Sequence, residues 1–259
     1  MRERFSGRTR PFQAKESRLL DGERTGPTGK PVANKILLSI SDADYRRVRP
    51  YLEFVDLPHH FSLHEPSEKL KFAYFLNRGV ASIVVATKGG RDVEAGVVGR
   101  EGAIGTELAV GLDKIPLREM IQIEGDGFRV SARELKIALA NAPDLQMQLS
   151  RYAVLQGMQV AQTAACNRLH GVEQRLARWL LMAQDRLDDG VLPITHDFLA
   201  IMLGTDRPSV SLAAAALQEN NVIQYNRGSV KILNRKKLES FACVCYRVVQ
   251  QLNGELGLK

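Results

Sequence analysis

The sequence predicts an α+β chain with three parts in order: an antiparallel β-roll, one long helix, and a winged helix-turn-helix. Three observations support this fold class. Short β-rich runs separated by glycines fill the first half, the stretch from Leu145 to Asn167 carries a single charge at Arg151, and two short helical patterns meet at Gly204 before a hairpin pattern. The length of 259 residues suits two medium domains.

Composition excludes several classes. Hydrophobic residues make up 44% and charged residues 25%, so the chain is not disordered as a whole. Mean hydropathy is −0.18 and no apolar run reaches the roughly 18 residues of a membrane span, so no membrane partner is expected. The N-terminus lacks the apolar core of a secretory signal. Three cysteines make no disulfide framework, which points to a reducing, cytoplasmic compartment.

The net charge of +7, from 36 basic and 29 acidic residues, is unevenly placed. Residues 1–33 hold eight basic and four acidic residues, are rich in Gly, Pro, Ser and Thr, and lack apolar periodicity. They are predicted to form a disordered basic tail. A DNA-contacting arm is the functional alternative, but a solvated tail is preferred. Charge alone is therefore a weak indicator of nucleic-acid binding.

The sensor region is predicted over 34–142. It opens with a helical pattern from Lys35 to about Val55, for which Ser41 is a candidate N-cap. Four β-rich runs follow, at 72–76, 80–85, 93–98 and 120–123. Glycine-containing turns are predicted between them at 77–79, 88–90 and 125–127. Short strands and glycine turns of this kind predict an antiparallel sandwich or roll.

The second of the three parts is a long helix predicted over 143–169. An exposed helix would carry charges on one face, so this nearly uncharged helix must be covered on most sides. Two sets of residues repeat every seven positions and suit a coiled-coil seam between two copies: Leu145, Tyr152 and Gln159, and Leu149, Gln156 and Thr163. A homodimer is therefore predicted; the alternative is a helix buried within one chain.

The winged helix-turn-helix is predicted over 170–240, followed by a C-terminal helix over 241–259. Thr195 can cap a helix that ends at Gly204, and Asp206 can cap the next helix. The small Ala200 lets the second helix approach closely, and Val210 and Ala213 face back into the angle between the two helices. An αα-hairpin without a DNA role is the alternative.

A hairpin pattern follows the second helix, as a wing would, with its turn at 226–228. Five basic residues and no acidic residue lie between 227 and 237. Local positive charge of this kind is what phosphate contacts require. The predicted phosphate contacts are Thr195, His196, Arg227, Lys231 and Lys236, and a merely solvated face is the alternative.

From about residue 34 to 240 the chain resembles the Crp/Fnr family of bacterial transcription regulators. The resemblance rests on the order of the parts and on 194–223, which aligns with the family's DNA-binding motif without gaps. It implies a cyclic-nucleotide-binding-like sensor domain, a homodimer on pseudo-palindromic double-stranded DNA, and RNA polymerase as a further partner. The start of the second motif helix enters the major groove in the family, which implicates Arg207, Pro208, Ser209, Ser211 and Leu212 in base contacts.

The operator is expected to differ from that of the catabolite activator. Arg207 matches a family arginine and can contact guanine O6 and N7. The family's usual acidic neighbour is Pro208 here, and a second usual arginine is Leu212.

The resemblance also places a candidate effector pocket. Family members that bind cyclic nucleotides carry a Gly-Glu-Leu-Gly/Ala stretch and, about ten residues on, Arg-Ser/Thr. Here Glu107, Leu108 and Arg118 look like remnants of that pattern, and Tyr152 is the fourth predicted pocket residue. Glu119 stands where a hydroxyl should donate to the phosphate, and its carboxylate would repel the ligand. Cyclic nucleotide binding is therefore not expected. The sensor domain is expected to bind a different small-molecule effector or no effector.

No metal site and no iron–sulfur cluster are predicted. The oxygen-sensing branch clusters its cysteines near the N-terminus, whereas the first cysteine here is Cys166. Cys243 and Cys245 would point to different sides of the predicted C-terminal helix. His59, His60 and His64 have no neighbouring cysteines or paired carboxylates.

These patterns together predict a homodimeric, sequence-specific DNA-binding regulator whose effector is unknown. A ligand-binding signalling module whose winged helix contacts protein is the alternative, although such an interface would not need the basic run. No catalytic residue is predicted, because the sequence has no nucleophile triad, Gly-x-Gly-x-x-Gly loop or P-loop.

Overall fold

Five antiparallel strands form the sheet of the first half, in a computed structural model that describes residues 24–87, 92–187 and 190–255. The strands are β1 (Glu53–Leu57), β2 (Ser62–His64), β3 (Phe72–Val85), β4 (Val93–Val98) and β5 (Arg118–Ser131). Their order is β1-β5-β3-β4, with β2 also paired to β5. The predicted α+β roll is confirmed.

Two glycine-containing segments predicted as turns lie inside long strands. Residues 77–79 belong to β3 and 125–127 to β5, where the antiparallel pairing of the two strands shifts register. A Cβ at Gly125 would lie 2.1 Å from the carbonyl oxygen of Arg78, and one at Gly127 would lie 2.3 Å from that of Phe75. These glycines therefore serve the close approach of two backbones rather than a chain reversal.

Small helices cover one end of the roll. They are α1 (Lys35–Ser39), α2 (Asp42–Val48), which Ser41 caps as predicted, and α3 (Ala132–Leu139). Residues 24–33, predicted as part of the tail, pack against this end: the Arg24 guanidinium donates to backbone carbonyls of α1 and lies over the ring of Tyr45. Buried hydrogen bonds hold these residues, so the tail prediction is left with 1–23, which lie outside the described residues.

The long helix α4 (Pro143–Leu169) runs from the roll to the C-terminal half. It contacts the short 3₁₀ helix Thr106–Val110, strand β4 and the last helix of the chain. No helix in the described parts of the chain is long and apolar enough to cross a bilayer.

The C-terminal half holds the predicted helices and hairpin. Its elements are α5 (Val172–Gln184), β6 (Val191–Leu192), α6 (His196–Leu203), α7 (Arg207–Glu219), β7 (Ile223–Asn226), β8 (Ser229–Ile232), α8 (Arg235–Phe241) and α9 (Cys245–Glu255). The apolar core of this half is continuous with three sheet residues, Val80, Val97 and Ile123. The two halves are thus packed directly on each other.

Candidate functional site

Helices α6 and α7 form a tight helix-turn-helix whose ends are set by the residues predicted for them. The Thr195 hydroxyl accepts from the amide of Phe198 at 3.3 Å, and Gly204 ends α6 in the left-handed region at φ 56°. Asp206 caps α7 by accepting from the amide of Ser209 at 2.8 Å. Val210 and Ala213 are buried in the angle between the helices. The first turn of α7 is thereby held at the surface.

Three of the five residues predicted to contact bases point outward. Arg207, Pro208 and Leu212 are exposed, and Leu212 keeps 74% of its surface accessible although it is apolar. The Arg207 guanidinium rests against Asp197 of α6 at 3.1 Å, in an exposed pair that a ligand could displace at little cost. An exposed leucine beside an arginine is a surface able to meet a thymine methyl and a guanine edge.

The other two, both serines, are engaged within the motif. The Ser209 hydroxyl donates to Asp206 at 3.0 Å, and the Ser211 hydroxyl donates to the carbonyl of Arg207 at 3.1 Å. Their half-buried side chains hold the first turn of α7 in shape. Ser209 and Ser211 therefore lie beside the outward-facing residues, and their hydroxyls are already hydrogen-bonded within the motif.

His196, predicted to contact phosphate, is built into the same motif. Its Nδ1 lies 3.0 Å from the Ser211 hydroxyl, and its ring stacks on Tyr225 of the wing with centroids 3.9 Å apart. Burial, together with the positive charge of Arg207, lowers the pKa of His196. The ring is thus neutral near pH 7 and joins α6, α7 and the wing.

The wing and α8 carry the basic residues. Arg227, Lys231 and Lys236 are exposed and have no ion pair among the described residues. Arg235 differs, because its guanidinium is bound to Asp185 at 2.6 Å and to the hydroxyl of Tyr246. Lys237, also exposed, donates to the carbonyl of Asn220 at 2.6 Å. The positive charge of the wing and α8 that no described carboxylate neutralises therefore includes three of the predicted phosphate contacts.

The C-terminal half is docked on the sheet through polar contacts of α5 and the residues after it, as well as through the shared core. Glu94 of β4, only 5% exposed, accepts from the indole Nε1–H of Trp179 at 2.8 Å and from the Ser82 hydroxyl at 2.6 Å. Glu101 and Arg186 form a buried ion pair, with Nε donating to Oε1 at 2.8 Å. Sheet and helices are therefore fastened by groups that water cannot easily reach.

Two of the clefts between the halves border the helix-turn-helix. One, of about 360 Å³, lies between the His59–His60 loop and the segment from Pro193 to Phe198 near the wing. The other, of about 620 Å³, separates Asp92 and Val93 from the turn at Gly204. The turn of the motif thus faces the sheet edge at the start of β4.

Three of the predicted effector residues, Glu107, Leu108 and Tyr152, lie on α4 or on the 3₁₀ helix packed against it, and they are engaged with the protein itself. Glu107 and Leu108 sit on the 3₁₀ helix, which α4 holds through a 2.6 Å hydrogen bond from Gln146 to the carbonyl of Ala109. Tyr152 is buried and packs directly on the backbone of Gly102, where an added Cβ would lie 2.0 Å from the Tyr152 hydroxyl. Burial, reinforced by Glu119, raises the pKa of Glu107.

Arg118 and Glu119 are both bound by other side chains of this chain. Arg118 donates to Glu65 at 3.0 Å and to Asp92 at 2.9 Å. Glu119, 1% exposed, pairs with Nδ1 of His64, whose Nε2 donates to a backbone carbonyl at 2.9 Å. A phosphate would have to displace carboxylates from Arg118 and would meet the Glu119 carboxyl, so this site does not favour an anionic ligand.

Helix α4 turns a different heptad outward from the one predicted for a partner. Leu145, Leu149, Tyr152, Gln156, Gln159 and Thr163 are all buried within the same chain. The outward face repeats with a spacing of three and four through Met147, Arg151, Val154, Met158, Ala161 and Ala165. Met147, Val154 and Met158 are 59%, 61% and 51% exposed. Because the helix carries almost no charge on either face, its sequence did not distinguish the two heptads.

The sequence-based prediction of no metal site missed a cluster of four side chains that can ligate a metal: Cys166, His170, Cys243 and Cys245. Cys243 and Cys245 were expected on opposite sides of one helix, but α9 begins only at Cys245 and Ala242 is extended, so both thiols turn toward the end of α4. The signal in the sequence was Cys-x-x-x-His at a helix end together with Cys-x-Cys. The two pairs lie more than 70 residues apart, so only the fold brings them together.

Comparison with known proteins gives one sequence match and many structural ones. A family model described as a Crp-like helix-turn-helix domain matches residues 174–241. No curated protein matches the chain.

Three solved structures illustrate the likeness. FixK2 from Bradyrhizobium japonicum is 15% identical with a TM-score of 0.64, covering 74% of this chain and 98% of its own. A putative transcriptional regulator of the Crp/Fnr family from Eubacterium rectale is 14% identical with a TM-score of 0.63, covering 80% and 96%. The c-di-GMP-responsive global regulator CLP of Xanthomonas campestris is 16% identical with a TM-score of 0.59, covering 74% and 99%.

The family match and the structural matches support the resemblance on which the site residues were placed. At these identities the structural matches establish the fold, and the family model establishes the nature of the C-terminal domain. The chain therefore carries a Crp-like helix-turn-helix domain at residues 174–241 and has the fold of the Crp/Fnr regulators.

Proposed function

We propose that this protein is a homodimeric, sequence-specific DNA-binding transcription regulator. The observation that carries the proposal is the start of α7, whose first two turns present Arg207, Pro208 and Leu212 to solvent on a capped motif. Ser209 and Ser211 shape these turns and border the base-reading surface. Thr195, Arg227, Lys231 and Lys236 supply the neighbouring phosphate contacts, whereas His196 positions the motif.

The partner copy is proposed to bind the outward heptad of α4. Its centre is apolar or small at Val154, Met158, Ala161 and Ala165, which is the pattern of a two-helix seam. Pairing along this face would place two α7 helices for half-sites about one DNA turn apart. Double-stranded, pseudo-palindromic DNA is thus the proposed ligand, and RNA polymerase the proposed target of a DNA-bound dimer.

The sensor half is proposed to control how the helix-turn-helix packs against the sheet. This control is proposed not to involve a bound cyclic nucleotide. Arg118 and Glu119 are both engaged by side chains of this chain, which argues against a bound phosphate. Thermal denaturation with cyclic AMP and cyclic GMP tests this point. No shift in Tm is expected, and a large shift with either nucleotide would overturn it.

Selection of bound duplexes from a random library tests DNA recognition. A palindromic consensus is expected, with binding that weakens as salt rises. Arg207→Ala should relax the consensus at one base position in each half-site. Arg133→Ala is the matched control, because Arg133 is also an exposed arginine in the first turn of a helix. Binding without any sequence preference would refute the proposal.

Light scattering of Val154→Asp tests the dimer separately. A buried, unpaired carboxylate at the seam should convert the dimer to monomer. Ile137→Asp, on α3 and 48% exposed, is the control and should leave the mass unchanged. A wild-type chain that is monomeric at micromolar concentration would contradict the dimer.

A further inference from the structure

Three cysteines and one histidine converge where the long helix meets the C-terminal half. Cys166 and His170 lie one helical turn apart at the end of α4, and Cys243 and Cys245 flank a single residue at the start of α9. Their four ligand atoms all lie within 4.8 Å of one another. The Sγ atoms of Cys166 and Cys243 are 3.4 Å apart, and Sγ of Cys245 is 3.6 Å from Nδ1 of His170.

This donor set and spacing fit one tetrahedral metal ion. Cys₃His is a ligand set of structural zinc sites, with Zn–S bonds of about 2.3 Å and Zn–N bonds of about 2.0 Å. Tetrahedral geometry then places ligand atoms roughly 3.5–3.8 Å apart, close to the separations seen here. An iron–sulfur cluster also contains sulfide ions between its irons and needs a wider cage. The compact arrangement therefore favours a single ion.

A buried arginine beside the cluster gives an independent indication. Arg178 is 3% exposed and forms no ion pair with the residues that the structure describes. Its Nη1 has only the Thr163 hydroxyl at 3.5 Å and the Met182 sulfur at 3.6 Å, and its Nε has no hydrogen-bond partner. Zn²⁺ with three thiolates and a neutral imidazole carries one negative charge, which would compensate this buried cation.

The environment also provides a donor to a ligand sulfur. Gln162 Nε2 donates to Sγ of Cys245 at 3.0 Å, as groups around metal thiolates commonly do. All three cysteines are free and buried, so no disulfide holds them in this arrangement.

We propose that Cys166, His170, Cys243 and Cys245 bind one Zn²⁺ ion that fastens the start of α9 to the end of α4. On binding, the three thiols release their protons to solvent, and the imidazole Nδ1 donates its lone pair to the ion. Helix α4 ends at Leu169 and α5 begins at Val172, so the ion would lie at the junction between the long helix and the helix-turn-helix domain.

Metal analysis of the full chain, purified without a polyhistidine tag, tests the site without reference to DNA. We expect one zinc per chain by plasma mass spectrometry. Titration of the thiols with an organomercurial should release that zinc to a chromophoric chelator as the three cysteines react. A metal-free protein with three freely reactive thiols, a Cys166–Cys243 disulfide, or iron in place of zinc would each overturn the proposal.

Cobalt substitution keeps the test independent of whether variants fold. The wild-type chain refolded with Co²⁺ should show the visible bands of tetrahedral cobalt and a thiolate charge-transfer band, and their absence would count against the site. His170→Asn should alter the visible bands while keeping the charge-transfer band, and Cys243→Ser should weaken both. His59→Asn, a histidine outside the cluster, is the matched control and should bind like the wild type.

Discussion

Glu94→Gln should change how the stability of this protein depends on pH. Burial raises the pKa of Glu94 to about 7, against the hydrogen bonds from Ser82 and Trp179. Between the ordinary value of 4.5 and about 7, the folded chain holds a proton on Glu94 that the unfolded chain has lost. The wild type therefore loses stability as pH rises through this window, and the loss is complete above about 7.

The size of the effect follows from that shift. Each pKa unit is worth about 1.4 kcal/mol. A pKa raised from 4.5 to about 7 therefore lowers the unfolding free energy at pH 8 by roughly 3 kcal/mol, compared with the same protein carrying a neutral side chain at this position. Glutamine keeps both contacts, since its oxygen can accept from Trp179 and its NH₂ can donate to the Ser82 hydroxyl. We expect the variant to equal the wild type near pH 4, to exceed it by about 1 kcal/mol near pH 5, and to exceed it by about 3 kcal/mol near pH 8.

Urea denaturation followed by circular dichroism at a series of pH values gives the difference in unfolding free energy directly. Comparing variant with wild type at each pH cancels the titration of other groups. Glu68→Gln, an exposed carboxyl of the sensor half, is the control and should show a flat difference. A flat difference for Glu94→Gln, or one that falls with pH, would refute the reasoning.

Three further outcomes are expected. Glu101→Gln leaves a buried guanidinium unpaired and should cost about 3–5 kcal/mol in urea denaturation; a cost below about 1 kcal/mol would mean the ion pair is hydrated. Gly125→Ala places a methyl 2.1 Å from a carbonyl oxygen and should lower Tm, whereas Gly157→Ala, with nothing within 4 Å, should stabilise by about 0.5–1 kcal/mol. Equal effects of the two substitutions would contradict the close backbone approach of β3 and β5 at Gly125. Lys236→Ala should weaken DNA binding evenly across sequences and reduce the salt slope by about 1, and a loss confined to one sequence would assign it to a base instead.

The order of the parts could be predicted because each has its own local pattern. Thr195, Gly204 and Asp206 mark helix ends through backbone chemistry that depends on a few neighbouring residues, and the structure uses all three as predicted. Gly79 and Gly125 were wrongly predicted to lie in turns, because that prediction used only neighbouring residues. Their purpose is the contact of strands more than 40 residues apart, and a local reading takes any glycine between apolar runs for a turn.

The candidate surfaces were predictable to different degrees. The exposure of Arg207 and Leu212 follows from the helix-turn-helix pattern itself. The inward or outward direction of Gln159 and Val154 on α4 depends on which side of the helix meets the sheet, and a helix with so few charges does not encode that direction. The Cys-x-x-x-His and Cys-x-Cys spacings each mark a possible pair of ligands, but the contact of Cys166 with Cys243 depends on the tertiary fold, which local spacing does not predict.

The contact between Trp179 and Glu94 also gives the protein a built-in optical probe. Trp179 is the single tryptophan of the chain, and its indole lies at the boundary between sheet and helix-turn-helix, hydrogen-bonded across it at 2.8 Å. Separation of the two halves would bring that ring from a dry, acid-lined site into water. Its emission wavelength and quenching therefore follow domain separation without any label, so effectors can be screened by fluorescence before an operator is known.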